Sequence, residues 1–137
     1  MKNQHVEKIN KFMAHSLPGH MEMEVIAIGE GLVKAKMPVN YKTRQPYGLL
    51  HGGASAAFAE TLGSLGSALT IEKENMIPVG IEINATHVKK VSEGFVFGEA
   101  KLIQKSKKLH VWDIRISNEE QELVCIARHT VLIVEKK

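Results

Sequence analysis

One glutamate, Glu60, stands alone among small, uncharged residues. It is the only Asp, Glu, Lys or Arg between Arg44 and Glu72, and it lies in the middle of a segment with helical spacing. An unpaired charge is costly to bury, so a carboxylate in such surroundings is usually retained for chemistry. We expect Glu60 to act as a general base or as a nucleophile. The alternative, a glutamate on a solvent-facing helix surface, fits poorly with the small side chains around it.

A pair of glycines, Gly52-Gly53, precedes Glu60 by about two helical turns. Backbone N–H groups at a helix start have no partner within the helix and lie at the positive end of its dipole. They can stabilise a carbonyl oxygen that becomes an oxyanion, although a tight loop-to-helix turn also uses glycines. Together with Glu60, the pair predicts an acyl-transfer site.

Two further polar residues, Gln45 and His51, lie on the same approach to the helix. His51 either orients the substrate or fixes the loop by a hydrogen bond. We favour the orienting role, because the Glu60 carboxylate already supplies the base.

The segment around Glu60 is predicted to be one long helix. Of the 17 residues from 52 to 68, 12 are Gly, Ala or Ser. The larger side chains recur at spacings of four, three and four, which makes one apolar stripe of a helix, with small residues and not Lys or Glu opposite. The sequence therefore predicts a helix that is covered on all sides. The stripe is formed by Phe58, Leu62, Leu65 and Leu69, and the opposite side by Glu60, Ser64 and Ser67.

Strand-like alternation surrounds this helix on both sides. A short amphipathic helix is predicted before it, with Val6, Ile9, Phe12 and Met13 on one face and an end near Pro18-Gly19, followed by a hairpin around residues 29–31. Four strands are predicted after it, at residues 79–90, 95–104, 109–117 and 123–134. One central helix and about six strands indicate an α+β fold, an antiparallel sheet with its helix on one face.

Composition limits the classes of function. The 137 residues suit a single domain, 1–137, and the formal net charge of +3 with only 5% aromatic residues argues against nucleic acid as a partner. The longest uncharged stretch, residues 45–59, is too short for a membrane span. The lone Cys125 indicates a buried thiol in a reducing compartment, so we expect a cytoplasmic location with no membrane partner. The histidines lack zinc-binding spacing, and we expect no metal.

Two segments carry a resemblance to a known family. The first is QPYGLLHGGAS continuing through AETLGS, and the second is GIEINATH continuing through VSEG. Over residues 21–134 the chain resembles the hotdog-fold acyl-CoA thioesterases, in particular bacterial members that serve menaquinone and enterobactin synthesis. The resemblance implies a sheet curled around the long helix. It also implies a homo-oligomer, in which two subunits pair their sheets with the active sites between them and dimers associate into tetramers.

The resemblance also implies roles for single residues. Glu60 matches the carboxylate that attacks the thioester carbonyl or activates water, and Ser64 matches a serine that helps to place that water. The Gly52 N–H and the Gln45 side chain match the groups that hold the carbonyl oxygen, and His51 matches an orienting histidine. The substrate is then an aromatic or other small acyl group on CoA or on an acyl carrier, and no further cofactor is needed.

The CoA-binding positions of the family fall on three parts of this chain. Their lysines keep the positive charge that the CoA phosphates require, although exposed lysines also serve solubility. The positions are Gly80; His87, Val88, Lys89 and Lys90; and Gln104, Lys105, Ser106, Lys107, Lys108 and Leu109.

Two alternatives use the same fold. A non-catalytic acyl-CoA sensor generally carries an added DNA-binding segment, and about 20 residues before the first strand are too few for a helix-turn-helix. A dehydratase also uses a helix carboxylate and a histidine, but expects a different loop around the histidine from Leu50-His51-Gly52-Gly53.

Overall fold

The computed structural model describes residues 2–137, which form three helices and six strands. Within these residues, no helix combines the length and the apolarity that crossing a bilayer requires. The elements in chain order are α1 (Lys2–Met13), α2 (Leu17–His20), β1 (Glu24–Gly29), β2 (Leu32–Pro38), α3 (Gly52–Thr70), β3 (Met76–His87), β4 (Phe95–Lys105), β5 (Leu109–Ser117) and β6 (Leu123–Glu135).

The six strands form one sheet in the order β1-β2-β4-β5-β6-β3. Every neighbouring pair is antiparallel, and α3 packs across β2, β3, β4, β5 and β6. The predicted α+β architecture of one long helix on a six-stranded antiparallel sheet is confirmed.

The face that α3 turns to the sheet differs from the predicted stripe. Phe58 and Leu62 are buried as predicted, but Leu69 is 45% exposed and Ser67 is fully buried. The reason is that β5 supplies the large side chain at this point. Trp112 is fully buried and donates its indole N–H to Ser67 Oγ over 2.8 Å, so the helix needs a small residue there.

The N-terminal segment is two helices and not one. α1 ends at Met13, and α2 begins at Leu17 with Pro18 in its first turn, where a proline is well tolerated. Ile9 and Met13 are buried, but Phe12 is 85% exposed, so its predicted place on the packed face is wrong.

The strand β3 lies at an edge of the sheet and begins at Met76 and not at residue 79. Ile77, Val79 and Ile81 are exposed, Ile81 to 54%. An edge strand presents unpaired backbone N–H and C=O groups, and proteins usually protect a long apolar edge by covering or pairing it.

The thiol of Cys125 is buried on β6, as the sequence predicts. Burial raises the pKa of this thiol, so the neutral form is favoured and the group behaves as a small apolar side chain.

A buried histidine of β5, His110, gives a testable pH dependence. Its Nδ1 lies 2.8 Å from Ser67 Oγ, and burial, followed by the charge of Lys105, lowers its pKa. The unfolded chain therefore takes up a proton more readily than the folded chain. We expect the free energy of unfolding to fall as the pH drops below the ordinary histidine value of about 6.5, which urea unfolding at pH 7.5 and pH 5.5 would measure.

The matched variant for this measurement is His110→Gln, whose side chain can still accept a hydrogen bond from Ser67 but does not titrate. The loss of stability between the two pH values should be smaller in this variant. An equal loss in both proteins would show that other groups cause it.

Candidate active site

A tight loop, residues 45–51, directs the Gln45 side chain. The Gln45 N–H donates to the Leu49 carbonyl over 2.7 Å, and Gly48 takes a φ of +85°, which favours glycine. Gln45 Oε1 accepts from the N–H groups of Tyr47 and Leu49. Since a backbone N–H can only donate, the amide oxygen must face the loop, and the NH₂ group is left to donate elsewhere.

The first two backbone N–H groups of α3 differ, because one donates a hydrogen bond and the other does not. His51 is its N-cap, and its Nδ1 accepts from the Gly53 N–H over 2.8 Å. The neighbouring Gly52 N–H makes no hydrogen bond with any other part of residues 2–137. His51 thus fixes the loop-to-helix turn, and its role in orienting a substrate stays a prediction.

Gln45 and Gly52 line a cavity of about 480 Å³, which we call the donor cavity. A β-carbon at Gly52 would lie 2.8 Å from His87 Nε2, so the absent side chain lets the His87 ring approach the start of the helix. The residues lining the donor cavity are Gln45, Leu49, Leu50, Gly52, Ser55, His87, Val88, Lys89, Lys90 and Val124.

One of the two lysines in the donor cavity is paired. Lys89 Nζ lies 3.3 Å from Glu122 Oε2, while none of the ion pairs found within residues 2–137 involves Lys90. Hydrogen bonds from Asn118 and Lys89, together with the charge of Lys89, hold the pKa of Glu122 below its usual range. A bound phosphate would therefore compete with Glu122 for Lys89.

The Glu60 carboxylate faces a different cavity, of about 780 Å³, which we call the acid cavity. Glu60 is exposed in the single chain, so the predicted cover on all sides of α3 is wrong for one chain by itself. Thr61 and Ser64 add polar groups near it. The lining is otherwise largely apolar and includes Phe12, Leu17, Pro18, Ala57, Leu65, Ile71, Met76 and Ile77, and it also includes Lys73 and Glu74.

The acid cavity adjoins a buried histidine of β6. His129 Nε2 lies 2.9 Å from Ser64 Oγ, and its Nδ1 lies 2.9 Å from the Glu82 carbonyl oxygen. A β-carbon at Gly80 would lie 3.0 Å from both Glu60 Oε2 and His129 Nε2. Gly80, predicted to bind CoA, therefore lies beside both groups and lacks the side chain that would crowd them.

One chain does not bring the predicted catalytic residues together. Gly52 and Glu60 are eight positions apart on α3, which places them about 12 Å apart along the helix axis. A donor must lie about 3 Å from the carbonyl oxygen, and the attacking atom, whether a carboxylate oxygen or a water held by the carboxylate, about 3 to 3.5 Å from the carbonyl carbon. Gln45 and Gly52 therefore line the donor cavity, and Glu60 and Ser64 line the acid cavity.

The predicted CoA-binding residues divide in the same way. Residues 87–90 lie at the end of β3, where His87 is opposite Cys125 of β6. Residues 104–109 lie near the start of β3, because Leu109 and Val79 are both opposite Leu132. The eight residue-to-residue steps from Val79 to His87 span about 26 Å of strand.

Comparison with known proteins agrees with this fold. The model of the thioesterase superfamily matches residues 47–125. The chain belongs to the thioesterase superfamily. The 1,4-dihydroxy-2-naphthoyl-CoA hydrolase of Escherichia coli is 39% identical to this thioesterase over 94% of this chain and 94% of that protein. A proofreading thioesterase of Cronobacter turicensis is 38% identical over 94% of this chain and 93% of that protein.

A solved structure extends the likeness to three dimensions. The crystal structure of a thioesterase from Haemophilus influenzae matches with a TM-score of 0.91 and 40% identity, covering 95% of this chain and 90% of that one. This thioesterase is therefore a hotdog-fold enzyme that hydrolyses thioesters.

One polar residue beside the acid cavity of this thioesterase, His129, was not predicted from the sequence. The signal was present in the alternation of β6, because His129 falls on the same inward series as Ala127 and Val131, and all three are buried. A histidine at a core-facing position needs hydrogen-bond partners, which is the ground on which it could have been singled out.

Proposed function

We propose that this thioesterase hydrolyses aromatic or other small acyl-CoA thioesters at sites assembled from two chains. The observation that carries the proposal is that the predicted catalytic groups on α3 line two separate cavities. Its free Gly52 N–H and the Gln45 amide line one cavity, while the Glu60 carboxylate lines another, about 12 Å away along the helix. A second chain supplies the missing half of each site.

The edge strand β3 supports this arrangement. It runs from the acid cavity, which Met76 and Ile77 line, to the donor cavity, which His87 lines. When two such edges pair antiparallel about a twofold axis, the donor end of one strand lies beside the acid end of the other. Pairing also covers the exposed apolar side chains of β3 and the Glu60 side of α3. We expect such dimers to associate further into tetramers.

The reaction follows from the groups that would meet. The thioester carbonyl oxygen accepts hydrogen bonds from the Gly52 N–H and the Gln45 NH₂ of one chain. Glu60 of the other chain removes a proton from water, whose oxygen attacks the carbonyl carbon. The C–S bond then breaks, the proton passes to the CoA sulfur, and the free acid is released. Direct attack by Glu60, with a mixed anhydride as intermediate, is the other route open to this carboxylate.

The acyl group would occupy the acid cavity. Its largely apolar lining and its volume of about 780 Å³ suit an aromatic ring or a small acyl chain. The aromatic substrate in the name of the Escherichia coli relative favours the ring. Lys89 and Lys90 of one chain and Lys105, Lys107 and Lys108 of the other would meet the CoA phosphates. The buried, free Cys125 supports action in a reducing compartment, which we take to be the cytoplasm.

A substrate panel tests this function. We expect kcat/KM for benzoyl-, phenylacetyl- and dihydroxynaphthoyl-CoA to exceed that for octanoyl-CoA by about tenfold or more, because a shaped pocket discriminates by a few kcal/mol. Release of the CoA thiol measures the rate. A panel of acyl-carrier-protein thioesters, run in parallel, separates the two carriers.

Two results would overturn the proposed function. Binding of acyl-CoA without release of thiol would indicate a sensor. Loss of water from a β-hydroxyacyl-CoA, with the thioester left intact, would indicate a dehydratase.

A further inference from the structure

A buried imidazole, His129, lies beside the acid cavity and has no part in the reaction above. It is 0% exposed, and both ring nitrogens have partners. The carbon edge of the ring packs against Gly63 of α3, where even a β-carbon would come within 2.7 Å of His129 Cδ2. Because these contacts restrict rotation of the ring, the two ring nitrogens keep their hydrogen-bond partners.

The Glu82 carbonyl decides which ring nitrogen carries the proton. A carbonyl oxygen can only accept, and it lies 2.9 Å from His129 Nδ1, so Nδ1 is the donor. In the neutral ring, Nε2 is then an acceptor, and its partner, 2.9 Å away, is Ser64 Oγ. The Ser64 hydroxyl therefore donates its only proton to His129, away from the reacting groups.

The consequence is that the cavity holds two acceptors side by side. Ser64 lies one turn after Glu60 on α3, and its oxygen is left with lone pairs only. The Glu60 carboxylate also accepts only. Ser64 and Glu60 both line the acid cavity, and a β-carbon at Gly80 would lie 3.0 Å from Glu60 Oε2 and from His129 Nε2, the atom that accepts the Ser64 proton. A water molecule between the two acceptors would donate one proton to each, and its lone pair would stay free for attack.

We propose that His129 is a positioning residue that makes Ser64 an obligate hydrogen-bond acceptor, so that Ser64 and Glu60 hold the attacking water by its two protons. The inference rests on the proposed function and selects its water route over direct attack by Glu60. Without the acceptor at His129 Nε2, the Ser64 hydroxyl would donate its proton to the Glu60 carboxylate, which would make that carboxylate a weaker base.

Three variants separate this role from simple packing. His129→Leu keeps the bulk of the ring without an acceptor, and kcat should fall about 30-fold with KM within about twofold of wild type. His129→Gln restores an acceptor near the position of Nε2 and should recover most of that loss. Ser64→Ala should lower kcat by itself but have little effect in the His129→Leu background, because the two residues act as one unit.

Equal losses in His129→Leu and His129→Gln would overturn the inference, as would additive losses in the double variant. If His129→Leu does not fold, NMR of the wild-type protein labelled with ¹⁵N-histidine decides the case. We expect a protonated Nδ1 and an unprotonated Nε2 for His129, and the opposite tautomer would refute the proposal. If Glu60→Gln hydrolyses normally, the proposed function fails. If only the His129 variants do so, the positioning role alone fails.

Discussion

Glu60→Gln should lower kcat about 10³-fold, while KM and the urea midpoint stay near their wild-type values. General acid–base catalysis by one side chain contributes about 10² to 10⁴ in rate, and an amide of the same shape cannot take a proton at neutral pH. Glu60 is exposed in the single chain, so its replacement leaves the core intact. Release of the CoA thiol from a good substrate is the measurement.

The control for this variant is Glu30→Gln, which makes the same chemical change in the exposed turn between β1 and β2. Its rate should equal that of wild type. A Glu60→Gln enzyme that retained more than about a tenth of wild-type kcat would show that another group supplies the base.

Two inactive variants should restore each other's activity when their chains are mixed. Gln45→Ala removes a donor and should lower kcat about 10²-fold, and Glu60→Gln removes the base. In a mixed dimer, one site receives the intact donor half from the Glu60→Gln chain and the intact acid half from the Gln45→Ala chain. Random mixing makes half of the dimers mixed, so co-expression should return about a quarter of wild-type sites.

A matched mixture controls for effects of co-expression. Gln45→Ala and Gly52→Ala both damage the donor half, so their mixed dimers contain no intact site and should stay as inactive as the separate variants. If the first mixture also showed no recovery, although differently tagged chains co-purified, each site would have to lie within one chain.

Features that depend on neighbouring residues in the chain could be predicted from the sequence. Glu60 is marked out by its isolation among small residues, and Gly52 by its place at the start of a helix, and both are local properties. Alternation of apolar residues located β5 to the residue and β6 to within one position. These features depend on the period of a strand or helix, which neighbouring residues determine.

Residues that depend on packing across the sheet were predicted less well. Leu69 shares the spacing of Phe58 and Leu62, yet it is exposed, because Trp112 fills the space beside Ser67. Phe12 shares the spacing of Ile9 and Met13, yet it lines the acid cavity from an exposed position. Periodicity says which residues share a face, but the partner element decides how far that face is covered.

By itself, the sequence determined the fold class and the thioesterase family, and it predicted which residues stabilise an oxyanion or take a proton. Only the tertiary structure decided that Gly52 and Glu60 line different cavities, and that Ser64 meets His129, 65 positions later in the chain. The physical reason is that a hydrogen bond depends on atoms within about 3 Å, and contacts between distant segments arise only when helix and sheet pack. Gly63, one of the small residues that isolate Glu60 in the sequence, also lets His129 approach α3.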